Sequence, residues 1–310
     1  MSFVRHRLRS LALVGPICLG IALLISACGA STKSSPSTGT HRAASHAASG
    51  GNVNVLYAAS LEVLMNSKVG SAFHASTGYS FEGFPAGSSD LASEIKGKVQ
   101  PGDVFLSAAP AVNQTLEGSK NGNWVSWYAP IAQTRLVIGY NPHSRFAHAL
   151  RTEPWYKVIT QSGFRLGFTD PKLDPKGVLA VAALRAAAKR YHMPALQQIA
   201  SDQSDLYPEQ DLVGRLQSGQ LDAGFFYTVE ASAAHFPTVS LGSIRETATY
   251  TITVLQRADN QAGADAFVRF LLGATGRKAM KSAGLSVIAT PKAVGQGVPT
   301  SLRRLIRTHT

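Results

Sequence analysis

From Val53 onward, short β-like runs alternate with helical patterns, and this alternation limits what the chain can fold into more than any other feature. Residues 53–57, 79–84, 104–107, 135–140, 165–169 and 223–227 read as strands. Between them, residues 61–74, 90–96, 178–192 and 211–218 read as helices. Strands separated by helices pair through crossovers rather than hairpins, so the expected fold class is α/β with largely parallel sheets. The stretch beyond residue 50 is longer than one such core usually holds, which predicts two lobes. Residues 247–255 alternate as a late strand, followed by helical segments 265–273 and 276–284 closed by glycines. That ending suits a chain that leaves a first lobe, builds a second and returns. The expected division is 51–133 plus 250–294 for lobe one, 134–249 for lobe two and 295–310 as a basic C-terminal tail. A cleft between lobes joined by crossing strands is a natural place for a ligand.

The start of the chain supplies an address. Arg5, Arg7 and Arg9 precede an apolar stretch broken by Gly15 and Pro16, which reads as a leader rather than a membrane span. It closes on Ile25-Ser26-Ala27-Cys28, which resembles a bacterial lipobox. Residues 1–27 are therefore expected to be a signal peptide, with Cys28 the lipid-bearing N-terminus of a protein anchored on the extracytoplasmic face of the cell membrane. Residues 28–50, rich in Ser, Thr, Ala, Gly and His, read as a flexible tether. The other cysteine, Cys18, lies in the leader, so the globular part has no disulfide, thiolate zinc site or cysteine nucleophile.

The leader takes three arginines and no acid with it, lowering the net charge from +12 to +9. The remaining basic residues are scattered and not interleaved with aromatics, so nucleic acid is not the expected partner. A positive field that draws in small anions, or attraction to anionic lipid, fits better. Three strand ends run into helix starts rich in hydroxyls and small residues: 58–60, 85–89 and 170–177. Helix N-termini offer N–H groups and partial positive charge to an anion, and Gly87 and Gly177 would let backbone approach closely. Ordinary capping is the competing account, with Asp174 an N-cap ahead of Pro175. Metalloprotease, hydrolase, P-loop and dinucleotide motifs are all missing. Asp103, Asp174, Glu209, Asp211 and Asp222 are carboxylates in suggestive places, but no histidine has an evident partner.

Four runs carry a family resemblance: Leu56-Tyr57-Ala58-Ala59-Ser60-Leu61, Phe84-Pro85-Ala86-Gly87-Ser88-Ser89-Asp90, Gly102-Asp103-Val104-Phe105-Leu106-Ser107-Ala108 and Ala266-Phe267-Val268-Arg269-Phe270-Leu271-Leu272. Together they resemble the molybdate/tungstate-binding proteins of ABC importers, over roughly residues 53–288. The resemblance implies the periplasmic-binding-protein fold, a monomer that passes an oxyanion to an importer permease, and neither catalysis nor a cofactor. It also implies that Ser60, Ser88 and Tyr227 bind the oxyanion. Asp174 and Glu209 match two carboxylates that ligate molybdenum or tungsten directly in the tungstate-binding subgroup. The chain departs from that subgroup at Phe226, where a second acid commonly stands, and in a shortened loop between the carboxylates. Related readings on the same fold are a receptor for sulfate, phosphonate or ferric ion; a surface hydrolase is a further alternative.

The leader generates the first prediction. Cys28→Ser is expected to release the protein from membranes into the soluble fraction, read by blotting of fractionated cells. Full retention with membranes would contradict the lipid anchor.

Overall fold

One strand organises the molecule. The computed structural model describes residues 50–202, 204 and 206–308; the leader, Cys28 and the tether up to residue 49 lie outside them. Within the described residues the strands are β1 (Asn52–Ala58), β2 (Ser80–Ala86), β3 (Val104–Ser107), β4 (Trp127–Tyr140), β5 (Leu166–Thr169), β6 (Leu206–Tyr207), β7 (Ala223–Tyr227), β8 (Thr238–Ser240), β9 (Thr247–Val254), β10 (Ser286–Val287) and β11 (Val294–Gly295). They follow the order β2-β1-β3-β9-β4-β7-β5-β6. The first part of β4 pairs antiparallel with β9 and belongs to the first lobe. Its second part, Leu136 to Tyr140, pairs antiparallel with β7 in the second lobe. β4 and β9 are thus the crossing strands of a two-lobed α/β fold.

Only the second part of β4 is legible as a strand, because Pro130 interrupts the first. Proline cannot donate to a ladder and is tolerated at bulges; the register shifts between Pro130 and Ala132. The parallel pairs β1–β2, β1–β3 and β5–β7 join strands that the strand–helix alternation predicts, whereas β6, parallel to β5, is not among them. The sheet is mixed rather than largely parallel, because the crossing strands β4 and β9 pair antiparallel with their neighbours.

Helices cover both sheets: α1 (Gly70–Thr77), α2 (Ser88–Gly97), α3 (Pro175–Tyr191), α4 (Glu209–Gln217), α5 (Thr228–Ala233), α6 (Gln261–Leu272) and α7 (Ala274–Ser282), with shorter turns between. α6 shows why such segments are helical. Asn260 caps it, its side chain accepting from the Gly263 amide, and Ala264, Phe267, Val268, Leu271 and Leu272 form one buried stripe. Phe267 meets Phe73 of α1 edge-on at 5.2 Å. The C-terminal segment is also two-faced. Val298, Leu302 and Ile306 are buried in the core while Arg303, Arg304 and Arg307 are exposed.

Two carboxylates singled out from the sequence are structural. Asp103 is fully buried and accepts from the Asn54 amide, the Asn54 side chain and the Asn260 amide, tying β1 to the start of α6. Asp222 accepts from Ser144 and from the backbone and guanidinium of Arg165. Asp211 is exposed on α4.

Candidate functional site

The second lobe aims three helix starts at the first. Asp174 is the N-cap of α3, Glu209 opens α4, and Glu230 lies in the first turn of α5. All three carboxylates are buried, and among them lies Lys176, with 0% of its surface exposed. Its ammonium donates to Glu209 Oε1 at 3.1 Å and to both oxygens of Glu230 at 2.8 Å. Its backbone amide donates to Asp174 Oδ1 at 2.8 Å. One Asp174 oxygen thus caps the helix, as ordinary capping predicts, while the other, Oδ2, is buried without a hydrogen-bond partner. Glu209 is divided in the same way, with Oε2 buried and unpartnered.

Tyr227 ends β7 beside this cluster, its hydroxyl also buried and unpartnered. Its ring packs edge-on against Tyr250 of β9 at 6.2 Å. The Tyr250 hydroxyl meets Ser60 Oγ at 2.9 Å. These two hydroxyls share one hydrogen bond, so one O–H remains to donate elsewhere. Ser88, wholly buried in the first turn of α2, accepts from the Ala108 amide at 3.0 Å, which leaves its own proton free to donate. The structure thus gathers Ser60, Ser88, Asp174, Glu209 and Tyr227 along the lobe junction. Lys176, Glu230 and Tyr250 join them, with no role assigned to them by sequence.

The lobes are closed on each other. Leu173 O, one residue before Asp174, accepts from the Ser89 and Asp90 amides of α2 at 3.0 and 3.1 Å. Amides at the start of α2, where an anion could be expected, are engaged here by the opposite lobe. Gln210 Nε2 donates to Pro85 O at 2.7 Å, a second bond across the junction. A cavity of about 240 Å³ remains, lined by Ala59, Ser60, Glu62, Glu209, Gln210 and Glu230 among others. Gly177 is required by close approach: a Cβ there would stand 2.1 Å from Thr169 O.

Electrostatics follow from this burial. Desolvation, then the charge of Asp174, push the Glu209 carboxyl well above its ordinary pKa, against the pull of Lys176. Glu230 is raised by burial, with Lys176 opposing. Burial works against the charge of Lys176 itself, but Glu209, Glu230 and Asp174 outweigh it and hold the ammonium protonated. Both tyrosines are pushed well up, first by burial: Tyr227 then by Asp174, and Tyr250 by Glu209 and Glu230 against its Ser60 hydrogen bond. They are neutral hydroxyls.

A sequence model described as bacterial extracellular solute-binding protein matches residues 53–286. The chain is 25% identical to an uncharacterized solute-binding protein from Petrotoga mobilis, over 72% of this chain and 79% of the relative. It is 30% identical to a putative ABC transporter molybdenum-binding protein from Haloferax volcanii, over 61% of this chain. It is 24% identical to a molybdate/tungstate-binding protein from Thermococcus kodakarensis, over 59% of this chain. The matches span 59% and 66% of the lengths of these last two relatives. Among solved structures, the Azotobacter vinelandii periplasmic molybdate-binding protein superposes with a TM-score of 0.61 at 19% identity, covering 76% of this chain and 99% of that one. A sulfate-binding protein from Mycobacterium tuberculosis superposes with a TM-score of 0.57 at 15% identity, covering 83% of this chain and 94% of that one. At such identities the structures establish the fold alone.

Two predictions follow from this geometry. Gly87 has ordinary helix-entry backbone angles (φ −58°, ψ 135°), which alanine also adopts. A Cβ there would lie 2.5 Å from Leu173 O in the opposite lobe. Gly87→Ala is thus expected to keep each lobe folded but to hold the cleft open. Solution scattering should give a larger radius of gyration than wild type, and an unchanged radius would contradict the closure contact. The second concerns pH. Because the folded state raises the Glu209 pKa, it keeps a proton that the unfolded chain releases near pH 4.5. Stability of the ligand-free protein therefore falls as pH rises from there through the raised pKa. Glu209→Gln should melt higher than wild type at neutral pH, lose that advantage near pH 4 (about the unfolded glutamate value), and show a shallower pH dependence. Parallel melting curves for the two proteins at every pH would contradict it.

Proposed function

The chain belongs to the bacterial extracellular solute-binding proteins, and we propose that its solute is a tetrahedral metal oxyanion, molybdate or tungstate, delivered to the permease of an ABC importer. The protein acts as a monomeric lipoprotein anchored through Cys28, with residues 51–133 plus 250–294 as one binding lobe and 134–249 as the other. The oxyanion is cargo; the role is non-catalytic and needs no cofactor.

The observation that carries this reading is the pairing of two kinds of free group at one junction. Ser88, Tyr227 and the Ser60–Tyr250 pair retain hydroxyl protons, which suit the oxo groups of an anion. Asp174 Oδ2 and Glu209 Oε2 have no hydrogen-bond partner, and as carboxylate oxygens, once Glu209 gives up the proton that burial favours, they suit its central metal. Unpartnered buried oxygens are costly, so their presence points to a ligand that satisfies them. A carboxylate about 4 Å from a single anionic charge costs on the order of 4 kcal/mol at an effective dielectric of about 20. For sulfate or phosphate that repulsion has no compensation, because sulfur and phosphorus do not take further oxygen ligands here. A hexavalent molybdenum or tungsten centre is hard and does. The same two residues favour one class of oxyanion and reject the other. The chain is similar to relatives described as molybdenum- and molybdate/tungstate-binding, which supports the same choice.

A ferric ion is the second reading, favoured by the Tyr227–Tyr250 pair beside carboxylates. Against it, the Tyr250 hydroxyl is already hydrogen-bonded to Ser60, which leaves Tyr227 as the unpartnered phenol of the pair.

Calorimetric titration with tungstate, molybdate, sulfate and ferric citrate tests the proposal. Ser60→Ala and Ser88→Ala are each expected to cost about 1.5–3 kcal/mol for any oxyanion accepted, the range for hydrogen bonds to charged groups. Asp174→Asn and Glu209→Gln should weaken tungstate and molybdate while sulfate stays flat or improves. Unaltered tungstate affinity in both variants would defeat metal ligation, since Asn still caps a helix. Binding of ferric ion but no oxyanion would favour the second reading.

A further inference from the structure

The acids of this site are divided in a way that capping and ion pairing alone do not require. Lys176 touches both proposed metal ligands, and through different groups. Its backbone N–H holds Asp174 Oδ1 and its ammonium holds Glu209 Oε1. Each carboxylate is left with one oxygen, and those two oxygens are the unpartnered ones. Nothing of the ammonium remains for the anion, because its other contacts go to Glu230 Oε1 and Oε2 and it lies within 6 Å of the Phe226 and Tyr227 rings. Lys176 therefore does not bind an oxyanion directly. Glu230 holds the ammonium in place from α5, with one oxygen also accepting from the Tyr227 amide.

Resting on the function proposed above, we propose that Lys176, anchored by Glu230, is a positioning and specificity-determining residue: it makes Asp174 and Glu209 one-oxygen donors to the metal of the bound oxyanion. Four oxo groups and two such donors give six-coordination. Two carboxylates free to chelate would offer four oxygens. The ammonium also offsets one of the three buried carboxylate charges around a bound dianion. Phe226 stands where the resemblance places an acid, and Glu230, one helical turn further on, brings an acid to the site from another direction.

Charge and position can be separated. Lys176→Met/Glu230→Gln removes one positive and one negative side chain, so the formal charge of the cluster is unchanged while the hold on Glu209 is lost. Molybdenum K-edge absorption reads the coordination, because tetrahedral molybdate has an intense pre-edge feature that six-coordination weakens. Wild type with bound molybdate should show the weak feature. In the double variant Asp174 keeps its cap while Glu209 is no longer fixed as a one-oxygen donor, so the feature should differ from that of wild type, with the tungstate-to-sulfate affinity ratio lowered at least tenfold. Glu230→Gln alone is the second variant, informative if the double variant does not fold. With one anchor gone the ammonium can take Glu209 Oε2 as well as Oε1, leaving that carboxylate no oxygen for the metal, and the same ratio should fall, whereas a purely electrostatic role would raise affinity for every oxyanion alike. A wild-type spectrum and ratio in the double variant, an undiminished ratio in Glu230→Gln, or four-coordinate molybdenum in wild type would each overturn the proposal while leaving oxyanion binding intact. Failure of wild type to bind either molybdate or tungstate would instead remove the function on which it rests.

Discussion

A lysine ammonium with no solvent exposure cannot stand alone in a protein interior, and most of what is distinctive here follows from how Lys176 is accommodated. Its ammonium is held by Glu209 and Glu230 together, so the lysine ties both of them to their places. The three residues belong to three helices, α3, α4 and α5, so one charged group fixes the relative positions of all three helix starts. The first lobe then docks on that fixed surface through the Leu173 carbonyl and Gln210. On the opposite rim, Pro175 and Val178 face Ala108, Pro110 and Val112 around an apolar cavity of about 310 Å³.

Two electrostatic scales are at work. Without the leader arginines the chain is still strongly basic, at +9, which raises the local concentration of anions around it without regard to their identity. The interior of the junction is the reverse: three acidic side chains surround one lysine, two of them on its ammonium and Asp174 on its backbone N–H. Under the proposed function, an anion drawn in by the outer field meets an acidic site and stays only if its central atom accepts the carboxylate oxygens. Attraction at long range and selection at short range are thus assigned to different residues.

How much of this is legible in the sequence depends on the kind of residue. Strands 104–107 and 223–227 coincide with the elements observed, since their runs are short, apolar and bounded by turn residues. The first half of β4 is hidden by Pro130, whose bulge only the paired strand reveals. Asp174 is visible as a cap beside Pro175, but that its second oxygen lacks a partner depends on burial by other elements. Lys176 sits inside the Asp174-Pro175-Lys176-Gly177 run and carries no expected role there, because lysine is among the residues least often buried. Glu230 and Tyr250 have no local signal at all. One follows the tyrosine by a helical turn and the other lies on the returning strand, so only the crossing of β4 and β9 brings them to the site.

Everything proposed for this site turns on whether Asp174 and Glu209 touch the metal of the bound anion. A crystal structure with tungstate, located by the anomalous scattering of tungsten, tests it most directly. The account predicts one tungsten at the lobe junction with Asp174 Oδ2 and Glu209 Oε2 within bonding distance of it and the hydroxyls of Ser88 and Tyr227 on its oxo groups. A tungsten elsewhere, or a tetrahedral tungstate at the junction with both carboxylates held away from the metal, would contradict it.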